Sequence, residues 1–130
     1  MLKTGLKGTA WAEVSDWEIR RQGLSYTVET VRTMQAQRPG HSWYWIMGSD
    51  QWELLPSWKE PEELRRRLCF LVFPRPNRPR LRKNFRMREI PLRFDISATA
   101  IRERVRKQLP IRGLVFPLVA SMIQRRGWYR

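Results

Sequence analysis

The sequence is short of cysteine, of long apolar runs and of acidic residues, and each shortage excludes something. Its one cysteine, Cys69, cannot form a disulfide within the chain, which suits a reducing, cytoplasmic setting. No apolar stretch approaches the roughly 18 residues that cross a bilayer. The N-terminus also lacks the apolar core of a signal peptide. We therefore expect a soluble protein without a membrane partner.

Acidic residues are heavily outnumbered, with 12 Asp and Glu against 26 Lys and Arg and a formal net charge of +14. A basic surface of this size attracts phosphate-bearing partners, whether nucleotides or nucleic acid. The charge is concentrated in one stretch that holds no acid and is interrupted by three prolines: Arg75, Arg78, Arg80, Arg82, Lys83, Arg86 and Arg88. The pattern predicts a solvated basic loop over about residues 74–89.

A chain of 130 residues with 42% hydrophobic content is long enough for one globular domain with a core. Apolar spacing predicts strands over 13–19, 43–47, 69–73 and 90–96. It predicts helices over 27–37, 51–55, 61–68, from 97 to the proline at 110, and from about 117 to the glycine at 127. Side chains of a strand point alternately to its two faces, and in strand 43–47 the residues on both faces are apolar. This pattern is typical of a strand that is covered on both faces. Alternating strands and helices indicate an α/β protein with a largely parallel sheet.

Two stretches carry groups suited to binding a nucleotide. Gly48-Ser49-Asp50 follows a strand, where glycine permits close backbone approach and an aspartate can accept hydrogen bonds from a sugar hydroxyl. An ordinary strand-to-helix turn capped by Asp50 explains these three residues equally well.

The second stretch places Ser97 and Thr99 at a helix start and Arg102 one turn further on. Backbone N–H groups, hydroxyls and a guanidinium could converge there on a polyphosphate. On these residues alone, the simpler interpretation is favoured, with Ser97 as the helix cap and Arg102 as a solvated residue.

Four motifs in the same order resemble the nicotinate-nucleotide adenylyltransferase family of the nucleotidyltransferase superfamily. Ile96-Ser97-x-Thr99-x-x-Arg102 is similar to the family's I-S-x-T-x-x-R signature, and Ser25-Tyr26-Thr27 to its S-Y-T. Gly48-Ser49-Asp50 through Leu55-Pro56-Ser57-Trp58 resembles G-x-D…L-P-x-W, and Arg75-Pro76 resembles R-P. Gly127-Trp128-Tyr129 is similar to the terminal G-L-Y, so the resemblance covers the whole chain.

The resemblance implies a Rossmann-like nucleotidyltransferase fold and adenylyl transfer from ATP, used with Mg²⁺, to nicotinate mononucleotide. The products would be deamido-NAD and pyrophosphate, a step of NAD biosynthesis. By position, it implies three groups of residues: Tyr26, Thr27 and Trp58 at the nicotinate, Gly48 and Asp50 at the nucleotides, and Arg75, Ser97, Thr99 and Arg102 at the ATP and its phosphates. Trp58 would stack on the pyridine ring, although a core aromatic after a turn remains the alternative.

The sequence departs from the family at its start, because the G-x-F-D-P-x-H-x-G-H motif, whose histidines bind the triphosphate, is absent. The sole histidine, His41, lies in a predicted turn and cannot replace it. No catalytic residue or metal-ligand set is therefore identified. Met1-Leu2 resembles an internal M-L of the family, so we expect one incomplete domain over 1–130 that lacks the first strand-helix-strand part. This start would be either a misplaced initiation site or a true truncation.

Two other functions stay open at this stage. A non-catalytic nucleotide- or RNA-binding remnant would use the basic loop, but that loop offers only Phe85 as a stacking aromatic. A sister enzyme could prefer nicotinamide mononucleotide, although the Tyr26-Thr27 and Trp58 matches favour the acid. The enzyme hypothesis expects Gly48–Asp50 and the Ser97, Thr99 and Arg102 group to face one nucleotide pocket. The sequence gives no oligomeric state.

The resemblance implies that the missing first strand is central in the sheet. We therefore expect marginal stability, because its loss would leave two sheet edges with unpaired backbone groups. Thermal unfolding of the isolated chain, followed by circular dichroism, is expected to be broad or to occur at low temperature. A sharp two-state transition well above about 50 °C would contradict this expectation.

Overall fold

A computed structural model describes residues 1–92 and 96–130 of the chain. These residues form seven α-helices, one 3₁₀ turn and three strands: α1 (Leu2–Gly5), α2 (Trp17–Arg20), α3 (Thr27–Gln37), β1 (Tyr44–Gly48), α4 (Ser49–Leu54), the 3₁₀ turn (Leu55–Ser57), α5 (Pro61–Arg67), β2 (Cys69–Phe73), β3 (Met87–Glu89), α6 (Ala98–Arg106) and α7 (Pro117–Arg126). They divide into two compact units. One contains Met1–Asp16 and Ile96–Arg130, and the other contains Trp17–Asp95.

The sheet lies in the Trp17–Asp95 unit and is parallel throughout, in the order β1-β2-β3. Tyr44 pairs with Cys69 and Gly48 with Phe73, so β1 and β2 end at the same edge of the sheet. β3 joins the other side of β2, with Phe70 opposite Met87. This arrangement confirms the α/β class with a parallel sheet and flanking helices.

The core of this unit packs α3, α4 and α5 against the sheet. Its nine buried hydrophobic residues are Val28, Val31, Met47, Trp52, Leu55, Leu64, Leu68, Phe70 and Val72. The Trp52 ring is fully buried, with its centroid 5.4 Å from that of Phe70 and 5.7 Å from that of Phe85. Burial of each large apolar side chain contributes about 1.5–3 kcal/mol.

Charged side chains join α3 to α5 at the surface of this core. The Arg32 guanidinium donates to Glu60 at 2.6 Å and also to both carboxylate oxygens of Glu63. Glu63 accepts a further bond from Arg67 at 2.6 Å. The hydrogen bonds from Arg32 and then Arg67 lower the pKa of Glu63 from 4.5 to about 2.

The other unit packs α1 close to the start of α7. A Cβ on Gly5 would lie 3.2 Å from the ring of Phe116 and 3.4 Å from Val119, so a small residue is needed at this contact. α7 begins at Pro117 and is followed by Gly127 in the left-handed conformation, with φ 62°, as the glycine position predicted. In the part of the chain that the structure describes, every helix is too short or too polar to cross a membrane.

Two predicted strands are wrong. The segment 13–19 contains the helix α2 instead, since its apolar residues never alternate cleanly and Ile19 remains 85% exposed. The last strand lies at Met87–Glu89 rather than 90–96, because Met87 packs against the core and Pro91 cannot donate a ladder hydrogen bond. The predicted range also extends over 93–95, which lies outside the described residues. Because β3 begins at Met87, the basic loop ends before residue 87 rather than at residue 89.

Two burial expectations also need correction. One face of β1 is open, with Tyr44 49% and Ile46 66% exposed, so helices do not cover both faces within the described residues. The basic loop is only partly solvated, because Arg82 bonds Glu53 at 3.0 Å and Trp52 donates its indole N–H to the Arg80 carbonyl at 2.8 Å.

The carboxylates of Glu29 and Glu63 predict a loss of stability in acid. Both have pKa values lowered from 4.5 to about 2, so the stability they contribute is complete above pH 4.5 and is lost as the pH falls towards 2. The urea midpoint of unfolding should fall over this window. In the Arg32→Gln variant, the urea midpoint should be lower than in the wild type above pH 4.5, and it should decrease less as the pH falls towards 2. Arg66→Gln is the control, and an equally flattened profile there would contradict the assignment to Arg32.

Candidate functional site

The carboxyl ends of β1 and β2 bring together four residues, Gly48, Ser49, Asp50 and Arg75, which we call the strand-end cluster. Gly48 and Phe73 are paired at the last position of the two strands. The turn into α4 and the loop that carries Arg75 therefore begin side by side. Loops at this edge of a parallel sheet are the usual place for a ligand.

The hydroxyl of Ser49 ties these two segments together. Ser49 is 3% exposed, and its Oγ lies 2.9 Å from the carbonyl of Arg75 and 2.7 Å from that of Asn77. The same oxygen accepts from the Arg75 backbone N–H at 2.7 Å. Because a hydroxyl has one proton, the two carbonyls are alternative acceptors. The loop after β2 is thus fixed to the first turn of α4.

Gly48 is needed for space rather than for an unusual backbone conformation, since its φ is −78°. A Cβ there would lie 2.3 Å from Oδ1 of Asp50 and 3.3 Å from Cδ of Arg75. The carboxylate and the arginine side chain therefore both reach the same glycine. A larger residue at position 48 would displace one of them.

Asp50 lies in the first turn of α4, and Gly48 is the N-cap with no side-chain cap bond. The alternative in which Asp50 caps this turn is therefore wrong. Within residues 1–92 and 96–130, neither the Asp50 carboxylate nor the Arg75 guanidinium has a hydrogen bond or ion pair. An exposed acceptor and an exposed cation at one strand edge could bind a sugar hydroxyl and a phosphate respectively.

A second group of predicted residues gathers around Lys59. Tyr26 is the N-cap of α3 and Thr27 its first residue, while Trp58 follows the 3₁₀ turn. Lys59 places its Nζ 4.2 Å from the centroid of the Tyr26 ring and 2.8 Å from Oε1 of Glu29. The residue next to Trp58 thus lies directly over Tyr26.

Trp58 is half-buried and packs against the core. Its ring meets Trp45 of β1 edge to face, at 6.4 Å and 85°. Trp58 is therefore in part a core aromatic, which was the alternative to a residue that stacks on the pyridine ring. The part that remains exposed is what a flat ligand ring could contact.

The Ile96–Arg102 stretch belongs to the other compact unit. Ser97 caps α6, since its Oγ accepts from the backbone N–H of Ala100 at 3.0 Å, which confirms the capping role. Arg102 donates to the hydroxyl of Thr99 at 3.1 Å and is half-exposed. Serine, threonine and arginine thus lie together at the start of α6. That they share a pocket with Gly48–Asp50 stays a prediction.

Sequence patterns missed two residues of the site. Ser49 was treated as the variable position between Gly48 and Asp50, and only its burial reveals its role. Lys59 matched no motif and was noticeable only as the residue after Trp58.

His41 lies in an exposed turn, with Nδ1 3.1 Å from the carbonyl of Pro39, as predicted.

Replacing Ser49 with alanine should loosen the loop after β2. The change removes a buried hydroxyl that contacts three backbone groups, so the free energy of unfolding should fall by about 1–3 kcal/mol. Amide hydrogen exchange at Arg75 should accelerate as well. Ser42→Ala, at an exposed position, is the matched control, and equal effects of the two substitutions would show that Ser49 holds nothing in place.

Comparison with known proteins points to one family. Residues 1–104 match the cytidylyltransferase-like family. Two proteins named "Probable nicotinate-nucleotide adenylyltransferase", from Shouchella clausii and Salinibacter ruber, are 33% and 34% identical and align with 99% and 100% of the chain. One from Synechococcus is 36% identical over 88% of the chain. The chain spans 67%, 69% and 60% of the length of these three relatives respectively.

Solved structures show the same fold. The Plasmodium falciparum nicotinic acid mononucleotide adenylyltransferase complexed with APC superimposes with a TM-score of 0.63 over 83% of this chain and 60% of its own, at 22% identity. Its complex with NaAD gives a TM-score of 0.61. This likeness supports the Rossmann-like nucleotidyltransferase fold of the chain. The match to the family model and the relatives of similar sequence lead to the conclusion that the chain belongs to the cytidylyltransferase-like family, among the nicotinate-nucleotide adenylyltransferases.

Proposed function

We propose that the chain serves in adenylyl transfer from ATP to nicotinate mononucleotide, which yields deamido-NAD and pyrophosphate in NAD biosynthesis. The observation that carries the proposal is the strand-end cluster. It leaves a carboxylate and a guanidinium unpaired beside a glycine, at the carboxyl ends of two parallel strands. The relatives named above support the choice of reaction.

In this proposal the strand-end cluster contacts the nucleotides. Asp50 accepts hydrogen bonds from a ribose hydroxyl, and Arg75 neutralises a phosphate oxygen. Gly48, which has no side chain, allows a ligand to approach the protein backbone closely. Ser49 acts as a positioning residue, because it fixes the loop that carries Arg75.

Tyr26, Thr27 and Trp58 would bind the nicotinate ring. Trp58 supplies an aromatic face, and Tyr26 and Thr27 lie where the positive end of the α3 dipole favours a carboxylate. Lys59 adds a cation next to Tyr26, although Glu29 already neutralises it in part. A cation at this position favours the acid over the amide form of the mononucleotide.

Ser97, Thr99 and Arg102 would bind the ATP phosphates at the start of α6. A phosphate oxygen could replace the Thr99 hydroxyl as the acceptor for Arg102. We expect ATP to be used with magnesium. Among the described residues, no group of three or more His, Cys, Asp or Glu side chains could hold a metal ion. Magnesium would accompany the ATP phosphates as part of the substrate.

Attack of the mononucleotide phosphate on the α-phosphate of ATP requires in-line positioning and neutralisation of the developing charge, and little covalent help. The proposed contacts hold both substrates and place guanidinium groups on phosphate oxygens. They supply binding and electrostatic stabilisation rather than a proton donor.

The alternative of an RNA-binding remnant has weaker support. Phe85, the aromatic of the basic loop, is partly buried and packs against Trp52 and Phe70, with ring centroids 5.7 Å and 6.0 Å away. Two arginines of the loop are already paired, Arg82 with Glu53 at 3.0 Å and Arg78 with Glu89 at 3.6 Å. For base stacking, the main sequence-tolerant contact to single strands, this loop offers only the partly buried ring of Phe85.

Calorimetry with ATP and nicotinate mononucleotide, together with a pyrophosphate-release assay, tests the proposal on the full 130-residue chain. The chain should bind both nucleotides and prefer the acid to the amide mononucleotide. Arg75→Gln should weaken ATP binding about tenfold or more, as expected for one charge-assisted hydrogen bond. Asp50→Asn should weaken binding by a similar factor.

The matched control is Arg80→Gln, which removes the same charge from an exposed position of the same loop. It should leave both affinities within about twofold, since a single distant surface charge is screened. Equal losses in Arg75→Gln and Arg80→Gln would indicate non-specific attraction and count against the proposal. So would failure of the wild-type chain to bind either nucleotide.

A further inference from the structure

The unit formed by Met1–Asp16 and Ile96–Arg130 contains a cavity that the proposed function does not use. Its volume is about 960 Å³, and it lies between the end of α6 and the inner side of α7. Three arginines line it, Arg106, Arg112 and Arg130, and none of the lining residues is acidic. We call it the arginine cavity.

The charges of this cavity are poorly compensated. Between positions 96 and 130 the sequence has eight Lys and Arg residues and one acid, Glu103. Within the described ranges, the guanidinium groups of Arg106 and Arg112 have no hydrogen bond or ion pair, and that of Arg130 donates one 3.3 Å bond to the carbonyl of Gln124. Three like charges around one cavity repel each other, so a bound anion would relieve the repulsion.

Most of the remaining lining of the arginine cavity is aliphatic, with Leu109, Ile111 and Val115 among it, and the polar side chains are Gln108, Ser121 and Gln124. No aromatic side chain lines it, so a nucleotide base would find no ring to stack on. The chemistry therefore favours an anion with an aliphatic body over another nucleotide.

An apolar groove of about 580 Å³ lies beside this cavity, and the two share the lining residues Gly113, Val115 and Pro117. No charged side chain lines the groove. Leu2 and Phe116 border it and are 72% and 61% exposed, so this unit leaves apolar surface uncovered beside its cationic cavity.

We propose that the arginine cavity and the apolar groove together bind a single-chain anionic amphiphile. The phosphate or carboxylate head lies on Arg106, Arg112 and Arg130, and the alkyl tail lies along the groove. Guanidinium groups suit such a head because they donate two parallel hydrogen bonds to its oxygens. The shared lining residues place the groove directly beside the cavity, within reach of the tail.

Calorimetric titration of the full chain with dodecyl phosphate, kept as a monomer in solution, tests the proposal. One equivalent should bind at micromolar concentration. Inorganic phosphate should bind at least about a hundredfold more weakly, because it lacks the tail, and each buried CH₂ contributes about 0.8 kcal/mol. Dodecyltrimethylammonium should not compete. Equal affinity for the alkylammonium, or equal affinity for inorganic phosphate, would overturn the proposal.

Substitutions locate the site independently. The double substitution Arg106→Gln with Arg112→Gln should weaken dodecyl phosphate binding about tenfold or more, since it removes two charge-assisted contacts. Leu2→Ser, at an exposed position on the groove, should weaken dodecyl phosphate binding and leave inorganic phosphate binding unchanged. Arg125→Gln is the control, because Arg125 is exposed and lies outside the cavity lining. An equal loss in the control would overturn the assignment.

Discussion

The parallel pairing of β1 with β2 is the constraint on which the candidate site depends. Because Gly48 and Phe73 end their strands side by side, the segments that follow must leave the sheet at one edge. The buried Ser49 hydroxyl then fixes the second segment to the first through the carbonyl and N–H groups of Arg75. A cation and a carboxylate thereby reach the same glycine from different parts of the chain. Chain topology and one hydroxyl thus account for most of the site's geometry.

Sequence patterns predicted the elements whose signals are local. Helix Thr27–Gln37 and strand Cys69–Phe73 lie where apolar spacing predicted them, and Gly127 ends α7 as expected. The wrong elements lacked a local signal. In 13–19 the apolar residues had no clear period. The placement of β3 depends on Met87 reaching the core opposite Phe70, which only the folded chain reveals.

The site was less predictable than the fold because its key contacts join residues far apart in sequence. Motifs indicated Gly48, Asp50 and Arg75, but not that Ser49 bonds across 26 positions to bring them together. Likewise, Trp58 was expected either to stack on a ligand or to pack in the core. The structure gives it a core contact with Trp45 and leaves it half-exposed. The combination of a core contact and an exposed ring face depends on how Trp58 packs in the folded chain, so it cannot be predicted from the sequence.

The central claim is that the strand-end cluster binds a nucleotide, and amide chemical-shift mapping during an ATP titration tests it most directly. The account predicts saturable shifts at Gly48, Ser49, Asp50 and Arg75 that persist at about 0.3 M salt, where non-specific phosphate attraction is largely screened. Shifts confined to the exposed arginines of the basic loop and abolished by that salt would contradict it.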